Sequence, residues 1–209
     1  MPDLDNALLI RLLDLAGIGV FALSGALMAV RLRQTLVTAS FFALVTGVGG
    51  GSVRDLLIGA PVFWVHDGAI AAVCIAIALI VWLTPQRWWD GRLLEWADAV
   101  GLAAYSVFGT AKALAWGVPP VPALLMGVIT GCVGGIIRDL LAGVPSIIVR
   151  PEIYVTAAAL ASGLFLLLLW AGVALPIAAL AGAAAGFALR GAAIRWSLAL
   201  PAYRGPAGG

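Results

Sequence analysis

Seven long apolar stretches, broken by short polar segments, run along the chain near residues 8–30, 36–58, 68–84, 97–117, 121–143, 153–172 and 174–194. A helix needs about 20 mostly apolar residues to cross the hydrocarbon of a bilayer. A barrel strand would instead show an alternating pattern over about ten residues, and the runs here are continuous. The pattern predicts an all-α membrane protein with seven transmembrane helices, the third of them short. The breaks are tight. Gly117-Val-Pro-Pro-Val-Pro122 makes one a rigid turn, because proline locks the backbone and donates no hydrogen bond. The longest polar break runs from Thr84 to Trp96.

That break separates two copies of one unit. Gly47-Val-Gly-Gly-Gly-Ser-Val-Arg-Asp-Leu-Leu-Ile-Gly-Ala-Pro61 recurs 84 positions later as Gly131-Cys-Val-Gly-Gly-Ile-Ile-Arg-Asp-Leu-Leu-Ala-Gly-Val-Pro145. The same offset pairs Asp14 with Asp98, Gly17 with Gly101, Gly25 with Gly109 and Thr46 with Thr130. The chain thus divides into a first three-helix unit (8–84), a second (97–172), an added seventh helix (174–194) and a polar C-terminal tail (197–209). Three spans is an odd number, so the second unit enters the membrane upside down relative to the first. Inverted repeats of this kind belong to transport proteins.

Charge orients the chain. Seven spans place Arg31, Arg33, Arg87, Arg92, Arg138, Arg150, Arg190, Arg195 and Arg204 on one side and Arg11 and Arg54 on the other. The excess of basic residues on the cytoplasmic side predicts an external N-terminus and a cytoplasmic C-terminus in a bacterial inner membrane. The eight tryptophans lie near span ends, as an interfacial belt requires. The composition agrees: 63% hydrophobic, 11% charged, mean hydropathy +1.11. The expected surroundings are lipid, and a net charge of +2 argues against a nucleic-acid partner. Met1-Pro-Asp-Leu-Asp is acidic where a secretory signal is basic, so the first helix is expected to direct insertion itself.

Candidate chemistry lies in the duplicated motif. Gly47, Gly49, Gly50 and Gly51 fall inside the second span, and Gly131, Gly134 and Gly135 inside the fifth. Such runs weaken a helix and free carbonyls for an ion, so both spans are expected to kink or unwind there. The alternative is close packing, since Gly47-x-x-x-Gly51 and Gly131-x-x-x-Gly135 also fit the small-residue contact pattern. Thr46 and Thr130 precede the glycines, each able to face a cation or bond back to its own helix. Arg54-Asp55 and Arg138-Asp139 follow, as pore-mouth or gating charges. Adjacent helical residues point apart, so their partners are expected across the interface between repeats rather than within each pair.

A second stripe, Asp14, Gly17, Phe21, Gly25 and Met28, recurs as Asp98, Gly101, Tyr105, Gly109 and Lys112. Arg11, three residues from Asp14, is its expected partner. Lys112 replaces a methionine and breaks the symmetry; an ionisable group inside a span faces the bundle interior or a watery cavity, unless it snorkels to the interface. Cys74 and Cys132 fit inert core thiols, and His66 an interfacial loop. No metal-ligand cluster, nucleophile-and-base set or phosphate-binding loop is evident, so neither enzyme activity nor a cofactor is expected. On the seventh span Gly182-x-x-x-Gly186 suits packing against the repeats or another subunit.

These residues resemble the bacterial branch of the TRIC (trimeric intracellular cation channel) family. The likeness rests on Gly-Gly-x-x-Arg-Asp at 50–55 and 134–139, Gly-x-Pro at 59–61 and 143–145, and the three-plus-three-plus-one spans, over roughly residues 8 to 196. It implies a homotrimer with a cation pathway in each subunit, between the repeats and lined by the second and fifth helices. Monovalent cations, chiefly K⁺ with Na⁺ permeation, would be the permeant ions. Lys112 looks like the fourth-helix lysine that animal members link to voltage sensing. Val133 stands where the first copy has Gly49, so the fifth helix is expected to bend less. Some bacterial relatives carry the description glycine transporter, which makes transport of glycine or another small neutral solute the alternative.

Overall fold

The structure, a computed structural model, describes residues 2–201, with side chains from Asp14 onward. Among these residues are seven α-helices: α1 (Pro2–Arg31), α2 (Leu36–Leu57), α3 (Gly68–Leu83), α4 (Leu93–Ala115), α5 (Pro120–Leu141), α6 (Val155–Trp170) and α7 (Leu175–Trp196). The tail beyond Pro201, with Arg204, and the side chain of Arg11 lie outside the described residues.

α2, α5, α7 and the Asp14–Arg31 part of α1 are long and apolar enough to cross a membrane. α3 and α6 are apolar but shorter, at 16 residues each. α4 is long and carries Glu95, Asp98 and Lys112. It begins four residues ahead of the apolar stretch, because Arg92 and Glu95 pair at 2.7 Å and hold the polar first turn in helix. Large apolar side chains such as Ile80, Leu83, Leu175, Ile177 and Leu180 point outward on α3 and α7, as a surface bathed in lipid requires.

The duplicated turns explain why α2 and α5 stop where they do. Gly59 and Gly143 adopt left-handed φ values of 70° and 67°, which a side chain resists. Just beyond them, Ala60 N donates to Asp55 O at 2.8 Å and Val144 N to Asp139 O at 3.2 Å, the hydrogen bonds that close a glycine-terminated helix.

α2 and α5 cross in contact, and the contact is reciprocal. A Cβ on Gly50 would collide with the carbonyl oxygen of Thr130, and a Cβ on Gly134 with that of Thr46. The same exchange joins α1 to α4, where Gly17 lies under Tyr105 and Gly101 under Phe21. In both pairs the earlier residue of one helix meets the later residue of the other, so the equivalent helices run antiparallel. That is the signature of an inverted repeat about a pseudo-two-fold axis.

The expected unwinding of the second and fifth spans is not found. No residue of α2 or α5 leaves the α-helix, including Gly47–Gly51 and Gly131–Gly135. The glycines keep their helical hydrogen bonds and pare the helix surface instead, so that backbones approach where any side chain would intervene. α7 uses its small residues likewise: Gly182 and Gly186 face Ala161, Phe165 and Ala157 of α6, within the same chain.

Candidate functional site

The helix order defines two ends of the bundle. α1, α3, α5 and α7 finish where α2, α4 and α6 begin. Arg31, Arg33, Arg87, Arg92, Arg138, Arg150, Arg190 and Arg195 gather at this basic end, while Arg54 and Lys112 sit toward the opposite one. The α2–α5 seam joins the two ends, with one Arg-Asp pair at each.

At the opposite end Asp55 is fully buried and serves three donors. Arg54 reaches it through Nε at 2.9 Å and Nη2 at 2.7 Å, Lys112 Nζ at 2.8 Å, and the Phe63 backbone N–H at 3.1 Å. The Arg54 guanidinium lies 5.5 Å from the Phe108 ring centre, and its Nη1 is buried without a hydrogen-bond partner. Lys112 Nζ is 5.8 Å from the Phe63 ring centre. The lysine therefore turns into the bundle, and it comes from the second repeat to a carboxylate of the first.

At the basic end Arg138 holds Asp139 through Nε at 2.9 Å and Nη2 at 2.8 Å, Asp98 through Nη1 at 2.6 Å, and Ser24 Oγ at 3.1 Å. Asp139 also accepts from the Ile147 backbone N–H at 3.0 Å. The repeat offset carries Phe63 to Ile147, so each aspartate fastens the loop that follows its own helix. This corrects the expectation for adjacent residues: Arg54-Asp55 and Arg138-Asp139 both form local ion pairs. The guanidinium is long enough to fold back onto its neighbour, and burial removes water as the competing partner. Contacts between repeats exist as well, through Lys112 to Asp55 and Arg138 to Ser24.

The two ends differ in their partners at equivalent positions. Phe108 occupies the place of Ser24, so one arginine has a ring where the other has a hydroxyl. Met28 occupies the place of Lys112, so Asp139 has Arg138 but no counterpart of the lysine that reaches Asp55. Asp98 pairs with Arg138, whereas Asp14 accepts the Tyr105 hydroxyl at 2.9 Å.

The glycines divide between two tasks. Gly49, Gly50 and Gly134 lie on the seam between repeats. Gly47, Gly51, Gly131 and Gly135 face partners within their own repeat: Cys74, Phe63, Ser106, and the Tyr154–Asp98 pair. Thr46 and Thr130 are buried at the seam; Thr130 Oγ1 bonds back to Met126 O at 2.6 Å, while Thr46 Oγ1 has no hydrogen-bond partner. His66 is an exposed loop residue, and Cys74 and Cys132 are buried free thiols. Arg190, Glu152 and Tyr154 join the basic end without having been singled out from the sequence. The signal was an arginine well inside the last apolar stretch.

Fold and seam together define a helical membrane protein built from an inverted repeat. A family model described as Glycine transporter matches residues 11–86 and again 95–170, two blocks displaced by the same interval as the motifs. A UPF0126 membrane protein of Vibrio cholerae is 39% identical over 206 residues, 96% of this chain and 84% of that protein. The UPF0126 inner membrane protein YadS of Escherichia coli is 38% identical over 200 residues, 94% of this chain and 97% of that protein. Among solved structures, a TRIC trimeric intracellular cation channel orthologue from Rhodobacter sphaeroides superposes with a TM-score of 0.83 at 41% identity, covering 90% of this chain and 98% of that one. Another TRIC cation channel gives a TM-score of 0.84 at 26% identity over 95% of this chain and 98% of that one. The chain belongs to this family, the UPF0126 membrane proteins of the bacterial TRIC branch.

Proposed function

We propose that the protein is a homotrimeric, K⁺-permeable channel of the bacterial inner membrane, with one pathway per subunit between the repeats 8–84 and 97–172 and with α7 outside the repeats. The observation that carries this reading is the pair of buried charge clusters at the two ends of one glycine-packed seam. Ionisable groups are costly inside a bilayer and usually mark an ion or substrate route. Asp55 and Asp139 supply anionic sites at either end, and Thr46 and Thr130 supply oxygens between them. Gly49, Gly50 and Gly134 let α2 and α5 approach closely along that middle section, while Gly47, Gly51, Gly131 and Gly135 seat the flanking elements. Lys112 on Asp55 represents the closed state, a tethered cation where a permeant one would pass. The arginine-rich end faces the cytoplasm on the positive-inside rule, which leaves the N-terminus outside. Similarity to channels described as trimeric supports the assembly.

The family description Glycine transporter keeps a second reading in view, a carrier of glycine or another small neutral solute. One preparation tests both. Purified protein in a planar bilayer under a K⁺ gradient should pass unitary currents reversing near the K⁺ equilibrium potential. The same protein in liposomes should not accumulate labelled glycine, and chemical cross-linking should stop at three subunits. Glycine uptake without unitary current overturns the channel reading.

A further inference from the structure

α7 has no counterpart in the duplication, and its buried charge enters only the basic end. Arg190 is 2% exposed. Its Nη2 holds Glu152 Oε2 at 2.8 Å, its Nη1 donates to Ile153 O at 3.2 Å, and its guanidinium lies 5.3 Å from the Tyr154 ring centre. The chain leaving α7 closes on the same segment: Glu152 and Ala199 form an antiparallel bridge, and Leu200 N donates to Pro151 O at 2.7 Å. Arg92, at the head of α4, donates to Ile194 O near the end of α7. The connection between α5 and α6 is thus gripped along residues 151–153 by an element outside the repeats. It forms one wall of a cavity of about 400 Å³ into which Arg138, Asp139, Ile147 and Arg190 all reach.

Among the described residues the opposite end has no such grip. The repeat offset carries Glu152, Ile153 and Tyr154 onto Gly68, Ala69 and Ile70, which offer an arginine neither charge nor ring. A buried guanidinium is costly unless its charge is paired, and Glu152 pairs that of Arg190 although Nε is left without a hydrogen-bond partner, so the basic end was fitted to α7 and not merely covered by it. The grip also reaches the charge cluster, because the gripped segment continues from Ile147, whose N–H holds Asp139, the partner of Arg138.

We infer that Arg190 is a positioning residue, and that α7 is a clasp holding the α5–α6 connection closed over the basic mouth of the pathway. The two mouths are then unequal: one is clasped from outside the repeats, the other latched by Lys112 from within them. This inference rests on the pathway reading above.

The reporter is Ile147→Cys, a buried residue lining the cavity. Its modification by a charged, water-soluble thiol reagent is followed in liposomes, with the parent protein, whose two cysteines are buried, as the blank. Arg190→Gln would strip a buried cation and endanger folding, so the clasp is loosened from its more exposed side by Glu152→Gln. That variant should speed modification of the reporter severalfold and raise open probability. Glu152→Asp, which keeps the charge, should return both toward the parent values. An unchanged rate in Glu152→Gln, or a Glu152→Asp variant as fast as Glu152→Gln, overturns the clasp. The labelling readout needs no current: a protein that conducts nothing refutes the channel, while faster labelling in Glu152→Gln still upholds the clasp.

Discussion

Replacing Lys112 by methionine, the residue its repeat counterpart Met28 already carries, removes the latch and leaves the opposite end with the composition of the basic one at that position. Lys112 Nζ lies 2.8 Å from Asp55 Oδ1, with the lysine 21% exposed and the aspartate fully buried. A hydrogen bond to a charged group nets about 1.5–3 kcal/mol. Competition from Arg54 for the same oxygen and the partial exposure of the lysine place this latch near the low figure. Loss of about 1.4 kcal/mol is a tenfold change in an equilibrium, so the ratio of open to closed channels should rise roughly tenfold at zero voltage. The fold should survive, because Asp55 keeps Arg54 and the Phe63 N–H. One charge crossing the whole field is worth about 2.3 kcal/mol per 100 mV; across about a quarter of it, the bias is roughly threefold per 100 mV. Single-channel recording between about −100 and +100 mV, one full unit of that scale on each side, should show a modest voltage slope in the wild type. Lys112→Met should flatten that slope at unchanged unit conductance. A variant with the wild-type slope and open probability would mean that the ammonium–carboxylate contact does not gate.

Other outcomes follow from the packing and the charges. Gly50→Ala and Gly134→Ala push a Cβ into a facing carbonyl that cannot rotate away, so each should cost about 1–3 kcal/mol in reversible unfolding followed by tryptophan fluorescence. Because the contacts are reciprocal, the two costs should be similar; a neutral Gly134→Ala would show that α2 and α5 are not in backbone contact at Thr46. Asp98→Asn removes the charge of one of the two carboxylates on Arg138, leaving Asp139 and the Ser24 hydroxyl, and should destabilise by roughly 1–3 kcal/mol, whereas Asp14→Asn, whose partner is the neutral Tyr105 hydroxyl, should cost less. A tag after the C-terminus should resist an impermeant label added to intact cells, and its labelling from outside would reverse the proposed orientation.

The apolar runs determined that this chain is a bundle of helices in a membrane, since each run is long and lacks strand alternation. The recurrence of Gly-Gly-x-x-Arg-Asp determined that the bundle is two copies of one unit, and three spans per copy determined that they are inverted. These properties are local or periodic, and a linear sequence records them directly. Tertiary structure decided what the duplicated residues do. Gly50 and Gly134 could have broken their helices or let helices touch, and the choice depended on a facing backbone at Thr130 and Thr46 that no spacing reveals. Arg54 and Arg138 fold back onto their neighbours because the buried seam leaves no water to compete, a consequence of burial and not of helical geometry. Lys112 turns inward because Asp55, 57 positions earlier, waits at the end of another helix. Arg190 drew notice in the sequence only as one more basic residue, since Glu152 and Tyr154 become its partners only when α7 lies across the connection between α5 and α6. Electrostatic partnership inside a membrane is fixed by which helices touch, and that is settled by shape in three dimensions.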